Sequence, residues 1–160
     1  GSGTGLVGSS LALLGAEVQL TDQSYVMEVL RFNLNRIGKK ATEAKKPFKF
    51  TTTEHVWGTD TKELVPADIV VGSDLIFALE GIRPLVISIT DIVEKSIKAG
   101  KKDVVVYVAV IRRFEWEELY FKLMDLNFTS SKAIEEGDIT LYKYKWHGKG
   151  GGVAAVRKVE

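Results

Sequence analysis

Three glycines near the start of the chain, Gly3, Gly5 and Gly8, are spaced G-x-G-x-x-G, and counted from Gly1 the same stretch, "GSGTGLVG", also reads G-x-G-x-G. Glycine lets a backbone turn sharply and approach a ligand, because no Cβ stands in the way. A helix beginning near Thr4 would aim its free N–H groups at the same place, which favours an anion or a carboxylate there. The first spacing is that of loops cradling the pyrophosphate of a dinucleotide. The second is that of loops holding S-adenosylmethionine. A glycine turn that serves only close packing would look the same. Asp22 lies nineteen positions after Gly3, at the end of the next strand-like stretch, where a carboxylate can accept both hydroxyls of a ribose. It reads equally as a turn or helix-capping aspartate. Both cofactors carry a ribose, so Asp22 supports each alike.

Further candidates come later. "HVWGTD" sets Trp57 beside Gly58, and a wide ring with one N–H can stack on adenine or pack in a core. "VGSDLIF" brings Ser73, Asp74 and Phe77 close together. Ser73 is small enough for a ligand to come near, or it is an ordinary strand-end serine. Asp74 can orient an amine or cap the helix that follows. Phe77 can offer a π face to a cation. His55 and His147 are the only histidines and there is no cysteine, so no metal-ligand spacing arises and both read as surface or structural residues. Glu115, Glu117, Glu118, Glu135, Glu136 and Asp138 read as solvated charge before a surface for a lysine-bearing partner, and the lysine pairs at Lys39–Lys40, Lys45–Lys46 and Lys101–Lys102 as solvated loops before a phosphate-binding face.

These side chains need strands and helices to hold them. Thr4 to Leu14 is small and apolar and is stopped by Gly15. Ala16 to Asp22 reads as a strand. Val26, Leu30, Leu34 and Ile37 repeat at helical spacing, with Ser24 as N-cap and Gly38 as the stop. A basic linker, Lys39 to Pro47, leads to a β-prone stretch, Phe48 to Val56. "ADIVVGSD" has the continuous apolar centre of a parallel strand covered on both faces. Ile82 to Lys98 reads as a helix with Pro84 in its first turn, Asp103 to Ile111 as a buried strand, and Glu115 to Leu126 as a helix. Two strands joined at "EEGD" then form a hairpin, with Tyr142, Tyr144 and Trp146 sharing one face, which reads as core first and as a partner surface second.

Strands alternating with helices predict an α/β fold: a Rossmann-like open, mostly parallel twisted sheet with helices on both faces and a C-terminal antiparallel β-hairpin. One domain over residues 1–147 is expected, followed by a flexible glycine-rich tail over 148–160. A glycine loop of this kind follows a buried strand, so the first central strand is expected upstream of Gly1. Ligands of such sheets bind at the carboxyl ends of the strands, where Gly1 to Gly5, Asp22 and Asp74 would lie.

Bulk composition narrows the partners. The 160 residues are 45% hydrophobic and 27% charged, which suits one domain with a substantial core. A net charge of +1 gives no field for nucleic acid or an anionic membrane. No apolar run reaches the ~20 residues of a membrane span, and no signal peptide is seen. A monomeric protein of the cytoplasm, with the nucleus as a second location, and with neither nucleic-acid nor membrane partner is expected.

With "GSGTGLVG…LLGAEVQLTD", "VWG", "VGSDLIF" and "YVAVIRRFEWEELYFKLM" in this order, the chain resembles the class I (seven-β-strand) methyltransferases. More narrowly it resembles methyltransferase family 16, whose characterised members are largely protein-lysine methyltransferases. The resemblance implies S-adenosylmethionine as cofactor, S-adenosylhomocysteine as product and a protein substrate presenting a lysine. It implies that Gly1, Ser2 and Gly3 line the methionine end with Gly5 in the same loop, and that Asp22 binds the ribose. Trp57 would neighbour the adenine and Ser73 the catalytic mouth. Asp74 and Phe77 fall on an acid-x-x-tyrosine that holds the substrate lysine; Phe77 keeps the ring and lacks the hydroxyl. Orienting an amine in line with an activated methyl supplies up to ~7–11 kcal/mol of the barrier. Making a lysine neutral at pH 7 costs about 4–5 kcal/mol. A carboxylate alone favours the charged ammonium, so Asp74 orients first and acts as base second. An NAD(P)-binding Rossmann oxidoreductase would explain the glycines and Asp22 but gives Trp57-Gly58 and "SDLIF" no role. A methyltransferase-like module that binds partners without turnover is the reading to which Phe77 points.

Overall fold

Leucines at helical spacing on one side of a short parallel ladder build the first part of the molecule. The computed structural model describes residues 1–159, and the chain divides into two units, Gly1–Val56 and the part from Trp57 onwards. The first unit contains α1 (Leu6–Leu13), β1 (Glu17–Asp22), α2 (Ser24–Glu43) and β2 (Lys49–Glu54). β1 and β2 pair in parallel from Glu17↔Lys49 to Asp22↔Glu54, a pairing that needs a crossover such as α2. Met27, Leu30 and Leu34 of α2 bury Leu20 of β1, with Val18, Phe48 and Phe50 partly buried around them.

Two expectations for α2 are corrected. The helix does not stop at Gly38 but runs through it to Glu43, taking up part of the expected linker. A Cβ on Gly38 would stand 3.3 Å from the Phe48 ring, so this glycine serves close packing rather than termination. Ser24 is the first helical residue; the N-cap position belongs to Gln23, which makes no side-chain cap bond.

The second unit runs β3 (Ile69–Ser73), α3 (Leu79–Lys98), β4 (Val105–Ile111), a 3-10 turn at Glu115–Glu117, α4 (Glu118–Asp125), β5 (Phe128–Glu136), β6 (Ile139–Trp146) and α5 (Gly152–Lys158). Its sheet has the order β3-β4-β6-β5. β3 and β4 are parallel, and β6 is antiparallel to both its neighbours. Val106, Val108 and Val110 turn one face of β4 into a core with Leu85, Val86 and Val93 of α3, Tyr120, Leu123 and Met124 of α4, and Phe128 and Tyr144 of the hairpin.

Among the described residues the strands form two ladders, each with its own apolar cluster, and the C-terminal antiparallel hairpin is present as expected. β3 is not covered on both faces: Val70 turns into the core, while Ile69 and Val71, pointing the other way along the pleat, stay exposed. α3 begins at Leu79, before Ile82, which puts Pro84 inside the helix rather than in its first turn.

The expected flexible tail is corrected too, because Gly152–Lys158 is helical and Val156 is fully buried. The buried Asn127 side chain accepts the Gly152 N–H (2.8 Å) and donates to the Gly152 carbonyl (3.1 Å). Arg83 donates to the Val156 carbonyl at 2.6 Å. Among the described residues no helix is long and apolar enough to cross a membrane.

Candidate functional site

In the first unit the glycine loop is tied to the carboxyl end of β1. Ser2 N–H donates to the Thr21 carbonyl (2.8 Å), Thr21 N–H donates to Ser2 Oγ (2.9 Å), and Gly5 N–H donates to the Ser2 carbonyl (2.9 Å). The Gly1 amino group also donates to the Thr21 carbonyl, at 2.7 Å. Asp22, 8% exposed, completes the clamp. Its Oδ2 accepts the Gly3 N–H (2.7 Å) and its Oδ1 accepts the Gln23 N–H (2.8 Å). Its backbone carbonyl accepts the N–H of His55 (2.8 Å). A carboxylate offers about four acceptor sites, so these two N–H groups leave capacity on both oxygens.

The glycines of the motif answer separate demands. A Cβ on Gly8 would stand 2.5 Å from Leu20 Cδ2, and one on Gly5 would stand 2.8 Å from Leu30 Cδ1. Those two let α1 and the loop settle onto β1 and α2. Gly3, at φ +54°, has no atom within 4 Å of where its Cβ would be. It faces open space. Gly5 is the N-cap of α1 at φ 86°. Ser9 N–H bonds the Gly5 carbonyl at 2.9 Å, and the N–H groups of Leu6, Val7 and Gly8, one turn earlier, have no acceptor within the helix.

In the second unit Ser73 closes β3 opposite Ala109 of β4 and is exposed. Asp74 N–H continues the ladder by donating to the Ala109 carbonyl at 3.1 Å. Its φ of +54° is left-handed, uncommon for a residue with a side chain. Asp74 does not cap α3, whose N-cap is Ala78 with no side-chain bond. Its carboxylate instead meets Arg113, with Oδ1 2.8 Å from Nη2. The Phe77 ring is 65% exposed and lies 6.1 Å from that of Trp57, tilted by 48°. Trp57 is half-buried against the core cluster, and a Cβ on Gly81 would stand 3.7 Å from its ring.

Gly1, Ser2, Gly3, Gly5 and Asp22 are therefore brought together in the first unit, and Trp57 is brought to Phe77 in the second. Arg113 was missed from sequence. Its signal lies in the parallel register: β3 ends at Ser73 opposite Ala109 and β4 runs on to Ile111, so both strands run out at one end of the sheet, where the residues that follow them can meet. Glu117, expected to be solvated, is fully buried because the 3-10 turn carries it inward, where its Oε2 accepts the Arg113 N–H at 3.0 Å. Its Oε1 has no hydrogen-bond partner among the described residues. His55 is buried, and His147 Nδ1 accepts the N–H of Lys149 at 3.0 Å.

Residues 1–127 match the family model described as lysine methyltransferase. Over 147 residues the chain is 29% identical to protein N-lysine methyltransferase METTL21A of Mus musculus, covering 89% of this chain and 62% of that protein. It is 28% identical over 146 residues to the protein of the same name from Xenopus tropicalis, covering 91% of this chain and 62% of that one. The chain thus spans 62% of the length of these curated relatives. Among solved structures it is similar to the S-adenosylmethionine-dependent methyltransferase SibL in its apo form, with a TM-score of 0.59 at 15% identity, over 91% of this chain and 48% of that one. A TM-score of 0.57, also at 15% identity, relates it to the PH0226 protein from Pyrococcus horikoshii OT3, over 91% of this chain and 78% of that one. At such identity these two likenesses show the fold alone.

Proposed function

This chain belongs to the lysine methyltransferase family, and from that premise we propose that it takes S-adenosylmethionine as cofactor and methylates a lysine side chain on a protein substrate. The observation that carries the reading is the clamp at the end of β1. Asp22 keeps acceptor capacity for ribose hydroxyls after taking the Gly3 and Gln23 N–H groups. Gly3 leaves open space where any other residue would place a side chain. The free N–H groups opening α1 suit the carboxylate of a methionine moiety. Ser2 Oγ accepts the Thr21 N–H and keeps its O–H to donate to that ligand. When bound, S-adenosylmethionine supplies a methyl group carried on a positively charged sulfur.

Trp57 beside the adenine and Ser73 beside the reacting end belong to the same proposal. On the substrate side Asp74 orients the amine, and the exposed Phe77 ring offers it a π face. Without a hydroxyl Phe77 cannot hydrogen-bond the amine, so orientation falls to Asp74.

The test is calorimetry of the full-length protein with S-adenosylhomocysteine, NADH and NADPH, followed by mass spectrometry of proteins incubated with labelled S-adenosylmethionine. Binding of S-adenosylhomocysteine alone and label on lysine are expected. Binding of a dinucleotide in its place would turn the glycine loop into a pyrophosphate cradle. Cofactor binding with no methylated lysine would leave a binding module.

A further inference from the structure

We propose that Arg113 is a positioning residue for the acceptor amine, neutralising Asp74 so that this carboxylate can orient a lysine without holding it as an ammonium ion. The inference rests on the reading of Asp74 as the acid that meets the substrate.

The difficulty it resolves is chemical. A lysine must lose a proton before its nitrogen can take a methyl group. A carboxylate within ~4–6 Å stabilises the charged form of a cation by about 1–3 pK units. An isolated Asp74 would therefore grip the amine in its unreactive state. A guanidinium against the same carboxylate cancels that field and leaves oxygen lone pairs free to accept a hydrogen bond. Arginine suits the task because it stays charged at any pH at which an enzyme works.

The geometry fits. Nη2 of Arg113 lies 2.8 Å from Oδ1 of Asp74, and the two side chains are 38% and 59% exposed, so the carboxylate can still be reached. Both partners are anchored by backbone. Asp74 is held at φ +54° with its N–H on the Ala109 carbonyl. Arg113 is held by donating its N–H to Oε2 of Glu117, a fully buried acid. The adjacent arginine is engaged elsewhere: Arg112 pairs with Glu118, and its guanidinium lies 4.7 Å from the Phe121 ring centroid. Other charged groups on the flanking elements include Asp68 ahead of β3, Glu80 and Arg83 early in α3 and Glu115 in the 3-10 turn; Arg83 donates to the Val156 carbonyl and Lys95, further along α3, to the Thr61, Lys62 and Leu64 carbonyls. Asp68 pairs with Lys101. Among the described residues Arg113 is the cation that faces Asp74.

The test is the pH profile of kcat, which reports groups in the enzyme–substrate complex, for lysine methylation by the full-length protein, compared with Arg113→Met, Arg113→Lys and the double variant Arg113→Met with Asp74→Asn. In Arg113→Met the acid limb should move up by about one unit or more, so that the rate falls about tenfold near neutral pH and recovers near pH 10. Arg113→Lys should return most of the loss. In the double variant the uncompensated charge is gone, and the limb should fall back towards its wild-type position. Affinity for S-adenosylhomocysteine and the melting temperature separate this effect from misfolding, and rescue by lysine would not occur in a misfolded chain. A limb that stays put in Arg113→Met overturns the proposal and leaves the methyltransferase reading intact. A lower KM with an unmoved limb would make Arg113 an occupant of the amine's own place, and overturns it as well. No lysine methylation by the wild-type chain overturns that reading and this inference together.

Discussion

Replacing Asp22 by alanine removes the acceptor of two backbone N–H groups at once, those of Gly3 at 2.7 Å and Gln23 at 2.8 Å. A hydrogen bond to a charged group contributes about 1.5–3 kcal/mol. Both donors are only part-buried, so the lower value applies to each, and about 3 kcal/mol of unfolding free energy should be lost in total. Asparagine keeps one acceptor oxygen and turns a donor NH₂ towards the other N–H, so it should lose at least about half as much. The same carboxylate is proposed to accept the ribose hydroxyls. Losing both of those bonds should weaken S-adenosylhomocysteine about a hundredfold, and losing one about tenfold. Urea denaturation of the full-length protein measures the first effect. Calorimetry at a temperature where every variant is folded measures the second. The order wild type, Asn, Ala should hold in both. An alanine variant with the wild-type unfolding midpoint would refute the clamp. One that loses stability but binds the ligand as wild type does would confine Asp22 to holding the loop.

Gly8→Ala should lower the melting temperature with little change in ligand affinity, because its Cβ would stand 2.5 Å from Leu20 Cδ2; overpacking of about 1–3 kcal/mol exceeds the gain in helix propensity of about 1 kcal/mol. Gly3→Ala should do the reverse, with a small strain from φ +54° and a large loss of affinity in the same two assays. Burial pushes the phenols of Tyr120 and Tyr144 above their ordinary range. A raised folded pKa means stability is intact below about pH 10 and declines as pH rises beyond it; denaturation at stepped alkaline pH should show this, with a shallower decline in Tyr144→Phe. Asn127→Ala leaves the Gly152 N–H and carbonyl without their partner, so hydrogen exchange should speed up across residues 152–158 while β4 stays protected.

Legibility in the sequence followed the distance between partners. β1 and β4 could be read from short β-branched, apolar runs and the hairpin from its "EEGD" turn signal, and the meeting of Gly3 with Asp22 follows from one loop–helix–strand unit. Gly38 misled because a helix-stopping glycine and a packing glycine look alike until Phe48 is seen against it. Residues 148–160 read as a tail because the side chain that clamps Gly152 is Asn127, twenty-five positions earlier. Glu117 looked solvated in an acidic run, and only the 3-10 turn reveals that it faces inward. Arg113 needed the β3–β4 register before it could be set against Asp74.

That the opening stretch fits two cofactors has a physical cause in the same geometry. Gly5 and Gly8 are required by Leu30 and Leu20, whatever ligand the loop takes. Their presence reports a helix laid closely on a parallel strand, which dinucleotide and S-adenosylmethionine proteins both need. Asp22 reports a ribose, which both ligands carry. Of the motif's three glycines only Gly3 faces open space, with Asp22 on its N–H. Within the motif, discrimination therefore comes from what a ligand presents to Gly3 and to the first N–H groups of α1: a single carboxylate in one case, a bulkier pyrophosphate in the other. Gly3→Ala adds one methyl at that point and nowhere else. It should reduce binding of whichever ligand the loop naturally holds, while Gly5 and Gly8 variants lose stability first and affinity only as the loop unravels.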